Sequence, residues 1–431
     1  MKKINIIFWM LLSIAFLKPS YARTYTLEQL LNLGLKNNPL ITASKHALQA
    51  GKYGEKAAHS QMGPKLTSKY IFLQKDKAPT LNGVQIGDKH LWIFELNLHQ
   101  PLFTGTYLLN SYQKAKIQKE QLSQQIKKVR LEIAFQIKQT YFNLLKGKAL
   151  VKSISKSIER LQNHLKVIEN FYKLGLKPKI EVLQAKTELA KTEQQIIEAK
   201  NFVSTQKALL ATLANLSEEP EVKDTTNLEY IPFLLSLAKC QQEALKNRPE
   251  IFIAQKSIEV AEKEEKMAKS AFFPQIGADA TYYRYGTDPD VKGTPYEPPS
   301  KWEVSIGAKW VLFESGSTMF KVKQAKQNIY RLKSIYHDLK NKIKLEVKTA
   351  YLNLQSAKQS ILATKKALAE AKETFLLATA RYEANLGSNT DVLDAQAKLT
   401  EAESKYISAL ANYNIALANL QKSMGQEEII Q

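Results

Sequence analysis

The sequence predicts a mainly α-helical chain with a β-barrel portion, written as a tandem repeat of one helix-helix-strand-strand-long helix-helix unit. Three observations carry this expectation. The chain matches itself at one constant offset, each copy contains a very long proline-free helical segment, and each contains two stretches of alternating apolar and polar residues.

The offset is 210 positions. It places Leu35-Lys36-Asn37-Asn38-Pro39 on Leu245-Lys246-Asn247-Arg248-Pro249, Trp92 on Trp302, Leu102-Phe103 on Leu312-Phe313, Tyr172 on Tyr382 and Val182-Leu183 on Val392-Leu393. No net insertion interrupts the match, so the first repeat is read as 23–216 and the second as 237–425. Residues 217–236, with Pro220 and Pro232, form a linker, and 426–431 a short tail.

Residues 1–22 read as a secretory signal. Lys2 and Lys3 precede an apolar core from Ile4 to Leu17, and Ser20-Tyr21-Ala22 offers small residues for cleavage. Arg23, not cysteine, follows, which disfavours a lipid-anchored form. Each repeat then opens with a short helix. In the first, Thr26 and Gln29 have capping-box spacing and Asn37-Asn38 ends the helix. A second helix starts at Pro39 or Pro249 and stops before Pro64 or Pro274. Strands are expected at about 65–75 and 90–103, and again at about 275–286 and 301–313. Long helices follow at about 105–174 and 316–384, then a tight turn and a last helix at 179–216 or 389–424. At about 1.5 Å per residue each long helix would run about 100 Å, the height of a helical cylinder wall rather than a globular core.

The strands raise the question of a membrane. Trp302, Val304, Ile306, Ala308 and Trp310 alternate with Lys301, Glu303, Ser305, Gly307 and Lys309, and Trp92, Phe94, Leu96 and Leu98 do the same against Glu95, Asn97 and His99 in the first copy, with Ile93 the exception. A soluble two-faced sheet would show this period too. The lengths suit a tilted crossing, however, and Tyr70, Trp92, Trp302 and Trp310 have the character of an interfacial aromatic girdle. Lipid cannot satisfy an open edge, so spanning requires a closed barrel. Four strands cannot close one, which calls for several subunits.

The net charge of +21 is spread as scattered lysines on amphipathic segments, with no basic patch laced with aromatics, so a nucleic-acid partner is not expected. Cys240 is the single cysteine. There is no Walker loop, dinucleotide fingerprint or zinc motif, and the six histidines lack ligand spacing. Neither an enzyme nor a cofactor or metal site is expected.

These features together resemble the TolC-like outer membrane factors over essentially the whole mature chain. The sharpest local match is Tyr382-Glu-Ala-Asn-Leu386-Gly-Ser-Asn-Thr-Asp391-Val-Leu-Asp394-Ala, with Tyr172-Lys-Leu-Gly175-Leu176 onward as its counterpart. The resemblance implies a homotrimer whose twelve strands form an outer-membrane barrel continuous with a periplasmic helical barrel. It implies a passive exit channel of a tripartite efflux or type I secretion system, served by a periplasmic adaptor and an inner-membrane pump. Carried over by position, Leu174, Gly175, Leu176 and Leu386 would contact the adaptor. Asp391 and Asp394 would form acidic rings at the periplasmic entrance, while Glu181 and Tyr382 would link helices in the closed state. Asn385 replaces an expected glycine, and Gly387 stands where a gating arginine is expected. Ordinary helix capping is the competing role for Asp391. The rival to the channel as a whole is an exported coiled-coil scaffold or periplasmic binding protein.

Overall fold

The computed structural model describes residues 24–222, 228–296 and 298–427. The signal segment, part of the linker and most of the tail lie outside these residues. Two compact units share the chain. One comprises the N-terminal residues through Ile41 with Arg130–Asn247 and Leu345 onward, the other Thr42–Val129 and Arg248–Lys344.

The second of these units holds a four-stranded antiparallel sheet of β2 (Lys65–Gln74), β5 (His90–Thr104), β7 (Gln275–Gly286) and β8 (Ser300–Lys309), in the order β2-β5-β7-β8. The pairs β3 (Thr80–Leu81) and β4 (Val84–Gln85) make a small hairpin between β2 and β5. Direct pairing sets Tyr70 opposite Phe94, Phe72 opposite Trp92, Leu96 opposite Tyr282, and Tyr282 opposite Trp302. With a period of two, these side chains share one apolar face. The opposite face carries cross-strand polar pairs. Lys69 Nζ meets Glu95 Oε1 at 3.0 Å, Asn97 Nδ2 donates to Thr281 Oγ1 at 2.8 Å, and His99 Nδ1 lies 2.9 Å from Asp279 Oδ1.

β8 ends at Lys309, opposite Gln275, the first residue of β7. Pro274 precedes it and has no N–H to extend the ladder. Residues 310–313, expected as strand, therefore leave the sheet, and Trp310 instead donates its indole N–H to the Phe272 carbonyl at 3.1 Å.

In the same unit, α2 (Pro39–Ser60) and α6 (Pro249–Lys269) flank the start of the long α3 (Tyr107–Lys173). Lys119 pairs with Glu55 at 2.7 Å on one side, and Lys256 with Glu120 at 2.9 Å on the other. Both long helices begin after a left-handed pair, Gly105-Thr106 or Ser315-Gly316, which turns the chain out of the sheet.

The other unit contains α1 (Leu27–Asn37), α4 (Lys179–Ala214), α5 (Leu237–Asn247) and α8 (Asn389–Ser423). It also holds the later parts of α3 and of the second long helix, α7 (Ser317–Glu383). The Thr26–Gln29 capping box is formed, with both reciprocal bonds present. A two-stranded parallel ladder joins β1 (Thr24–Tyr25) to β6 (Glu221–Val222). Glu221 is held by both Lys148 and Lys207, and these lysines keep its carboxyl below the ordinary range.

Apolar stripes at helical spacing supply the core: Ile133, Ile137, Leu144, Leu161 and Ile168 on α3, Val347 and Leu354 on α7, Leu399, Leu417 and Leu420 on α8. The seam between α3 and α8 is polar instead. Ser153 bonds Glu403, Ser157 bonds Thr400 and Gln396, Arg160 bonds Gln396 at 3.0 Å and reaches Glu403, and His164 bonds Asn389. These partners advance by fours and threes along α3 and by seven, four and three along α8, as facing positions of an antiparallel coiled coil do.

Candidate functional site

The candidate site is the pair of turns joining α3 to α4 and α7 to α8. Each long helix ends in the same hydrogen-bonded wrap. In the first, Leu176 N–H donates to Phe171 O at 2.9 Å and Gly175 N–H to Tyr172 O at 3.0 Å, with Gly175 at φ +74°. In the second, Leu386 N–H donates to Arg381 O at 2.8 Å and Asn385 N–H to Tyr382 O at 3.0 Å, with Asn385 at φ +60°. This is the Schellman closure, which needs one left-handed residue. Asparagine is among the few non-glycine residues that enter that region readily. Replacing the expected glycine with Asn385 therefore leaves the backbone of the second turn like that of the first.

Gly387 answers to a different constraint. A Cβ there would lie 3.2 Å from both Arg381 Cβ and the Tyr382 backbone nitrogen. The crowding is local and comes from the end of α7, so the turn accepts a side chain only if α7 yields.

The structure brings two of the expected site residues together. Tyr382 is fully buried, and its hydroxyl donates to Glu181 Oε2 at 2.9 Å. Its ring packs in a cluster with Ile168, Val182, Ala185 and Val392, edge-on to His164 at 5.1 Å. Lys177 Nζ stands over the same ring at 4.9 Å from the centroid. Burial, with the Glu181 carboxylate as hydrogen-bond partner, pushes the Tyr382 phenol well above its usual value.

Asn389, also buried, ties three helices. Its Nδ2 donates to Glu181 O at 3.3 Å and Gln184 Oε1 at 3.1 Å, and its Oδ1 lies 3.0 Å from His164 Nε2.

The other expected residues sit differently. Asp391 closes a capping box at the start of α8: its N–H donates to Ser388 Oγ, and its carboxylate accepts from Ser388 N–H, both at 3.1 Å. Those bonds hold its carboxyl below the usual range. Asp394 is exposed one turn further on. Leu174, Leu176 and Leu386 are exposed at the turns, by 71 %, 59 % and 73 %. On the sheet, the Tyr70 and Trp92 rings lie 5.4 Å apart, tilted by 35°, and the Tyr70 hydroxyl bonds the Pro289 carbonyl, while Trp302 stands 76 % exposed on the same face.

Sequence reading missed His164, Asn389 and the polar seam above them. The signal was available: residues 153, 157, 160 and 164 on one helix and 389, 396, 400 and 403 on the other keep coiled-coil spacing while being polar.

Among the described residues, no group of three or more histidine, cysteine or acidic side chains is placed to hold a metal, and no helix is long and apolar enough to cross a membrane. The outer membrane efflux protein family model matches residues 30–216 and 241–426, one match per repeat. The outer membrane efflux protein BepC of Brucella suis biovar 1 (strain 1330) is 20 % identical over 391 residues, covering 90 % of this chain and 83 % of that protein.

Among solved structures, CusC superimposes with a TM-score of 0.80 at 18 % identity, covering 94 % of this chain and 92 % of that one. The Campylobacter jejuni CmeC outer membrane channel gives 0.80 at 18 % identity, covering 93 % and 85 %. The open state of the Neisseria gonorrhoeae MtrE outer membrane channel gives 0.77 at 17 % identity, covering 93 % and 89 %. With both repeats matched, the chain belongs to the outer membrane efflux protein family and is an outer-membrane protein extending into the periplasm.

Proposed function

We propose that this protein is a passive exit channel, with no catalytic activity, of a tripartite efflux or type I secretion system, gated at the helical turns. A periplasmic adaptor and an inner-membrane pump would deliver substrate and supply the energy. The observation that carries the reading is the open-edged sheet. β2 and β8 each leave a ten-residue edge, and one face is apolar. In lipid those edges must pair, and the neighbour able to pair both is another copy of the chain. Three copies of this four-stranded sheet give twelve strands, with Tyr70, Trp92, Trp302 and Trp310 toward the lipid boundary.

At the turns after the long helices, the Tyr382–Glu181 bond would hold the closed state, and exposed Leu174, Leu176 and Leu386, with Gly175 keeping the backbone open to approach, would meet the adaptor. Asp391 and Asp394, repeated by symmetry, would favour cations at the entrance.

The test is direct. The detergent-extracted protein should run as a trimer and give cation-selective conductance in planar bilayers, with selectivity reduced in the Asp391→Asn, Asp394→Asn double variant. A water-soluble monomer would remove the channel reading and revive the scaffold. Unchanged selectivity would remove the acidic rings alone.

A further inference from the structure

The second strand of each hairpin reaches the end of its own partner, and only one of the two finds a neighbour beyond it. The hairpins share one register. Lys65 lies opposite His99 and Gln275 opposite Lys309, the same pairing moved by 210 positions. In each, a proline (Pro64 or Pro274) stands just before the first strand and ends that ladder. Past His99, β5 stays in the sheet to Thr104 because β7 lies on its other side. Gln100 faces Ala278 and Pro101 faces Gly277; the register shifts across Leu102, and Phe103 then faces Ile276 and Thr104 faces Gln275. β8 is the edge of the sheet, and it stops at Lys309.

Residues 310–314 nevertheless keep the placement of their counterparts. Trp310 donates its side-chain N–H to the Phe272 carbonyl at 3.1 Å, and Gln100, its match in the first repeat, donates to the Met62 carbonyl at 2.9 Å. Glu314 accepts from the Thr318 amide at 2.7 Å at the start of α7, as Thr104 accepts from the Leu108 amide at 3.3 Å at the start of α3. What differs is cover: Phe103 is 39 % exposed and Phe313 84 %. The segment is held at both ends and lacks only the strand that β7 provides for β5.

Because β2 corresponds to β7 as β8 does to β5, the joint inside the chain is a template for the joint between chains. We propose that β8 pairs antiparallel with β2 of a partner subunit in the β5–β7 register, and that this pairing draws residues 310–314 into the sheet. This rests on the channel reading and deepens it with a seam defined residue by residue. Gly307 then faces the partner subunit's Ile71, and Ala308 faces the partner's Tyr70, small against large. Val311 faces the partner's Thr67, Phe313 the partner's Leu66, and Glu314 the partner's Lys65, which matches apolar with apolar and acid with base. Lys309 falls opposite the partner's Lys69, a like-charge contact offset by the carboxylate of Glu95, which lies 3.0 Å from Lys69 within each chain. The register also keeps the apolar rows of the two strands on one face, which a slip of one residue would not.

Disulfide trapping in the full chain tests the seam. In a Cys240→Ala background, Gly307→Cys with Ile71→Cys, and Phe313→Cys with Leu66→Cys, should give covalently linked oligomers on denaturing gels after mild oxidation in membranes. Gly307→Cys with Lys69→Cys or with Leu73→Cys sets the thiols on a diagonal, roughly 7–8 Å apart, and should link about tenfold more slowly. Faster linking in a shifted pair, or linking at 307 but not at 313, in protein that runs as a trimer overturns the proposal and leaves the channel standing. A monomer that links in no pair overturns both. The unmodified trimer decides if a cysteine pair does not fold: backbone amides at 310–314 should exchange as slowly as those at 100–104. Free exchange at 310–314 in an intact trimer overturns the strand.

Discussion

The two turns have one backbone and two chemistries. Tyr172 and Tyr382 occupy matching positions, yet Tyr172 is 44 % exposed and Tyr382 is wholly buried. The first turn carries Lys173, Lys177 and Lys179 among exposed leucines, and α4 starts after Pro178 with no side-chain cap. The second carries Glu383, Asp391 and Asp394, and α8 starts with a reciprocal capping box. Duplication has thus kept the geometry that a helix hairpin requires and let the side chains diverge. One turn presents apolar and basic surface, and the other sends its flanking residues Tyr382 and Asn389 into the core.

The largest expected effect tests that asymmetry. Tyr382→Ala removes a fully buried aromatic and should destabilise the packing by about 3–5 kcal/mol, whereas Tyr172→Ala should stay within about 0.5 kcal/mol. Denaturant unfolding of the detergent-solubilised chain reads both, and equal effects would erase the distinction.

Tyr382→Phe is milder. It keeps the ring and removes one hydrogen bond to a carboxylate, for a loss of about 1.5–3 kcal/mol, while Tyr172→Phe should be silent in the same assay.

Ser388→Ala should cost about 1 kcal/mol through the lost cap. Because Asp391 has its carboxyl held low, its contribution is present above the ordinary carboxylate range and disappears as the pH falls through the lowered value. Amide exchange at the start of α8 should therefore quicken in strong acid, with no such dependence at the uncapped start of α4.

The smallest effect sharpens the comparison of the left-handed residues. Asn385→Gly should change stability by only a few tenths of a kcal/mol, against about 1 kcal/mol for Gly175→Ala. A large loss from Asn385→Gly would mean that its side chain does more than tolerate the turn.

Much of the fold class was legible because it rests on local rules. The tandem unit, the two-residue alternation of the strands and the Thr26–Gln29 box each follow from neighbours in sequence. Endpoints set by a distant partner were not. The apolar run through Phe313 keeps strand character, and only the pairing of Lys309 with Gln275, after Pro274, shows where the ladder must stop.

The site divides the same way. At Asn385 the requirement falls on backbone angle, which asparagine meets as glycine does, and residue type alone does not show it. Tyr382 and Glu181 were linked by resemblance, but Asn389, although it lies within the Tyr382 to Asp394 match, carries no role from it. Its importance comes from bonding α3 and α4 at once, a three-body relation that no single spacing encodes.

The order β2-β5-β7-β8 carries a last implication. The central joint, β5 with β7, is antiparallel and unites the hairpin of one repeat with the hairpin of the other. A wall that grows by such joints does not register whether consecutive hairpins share a peptide chain. A half-length chain carrying one hairpin would need only twice as many copies to supply the same number of strands.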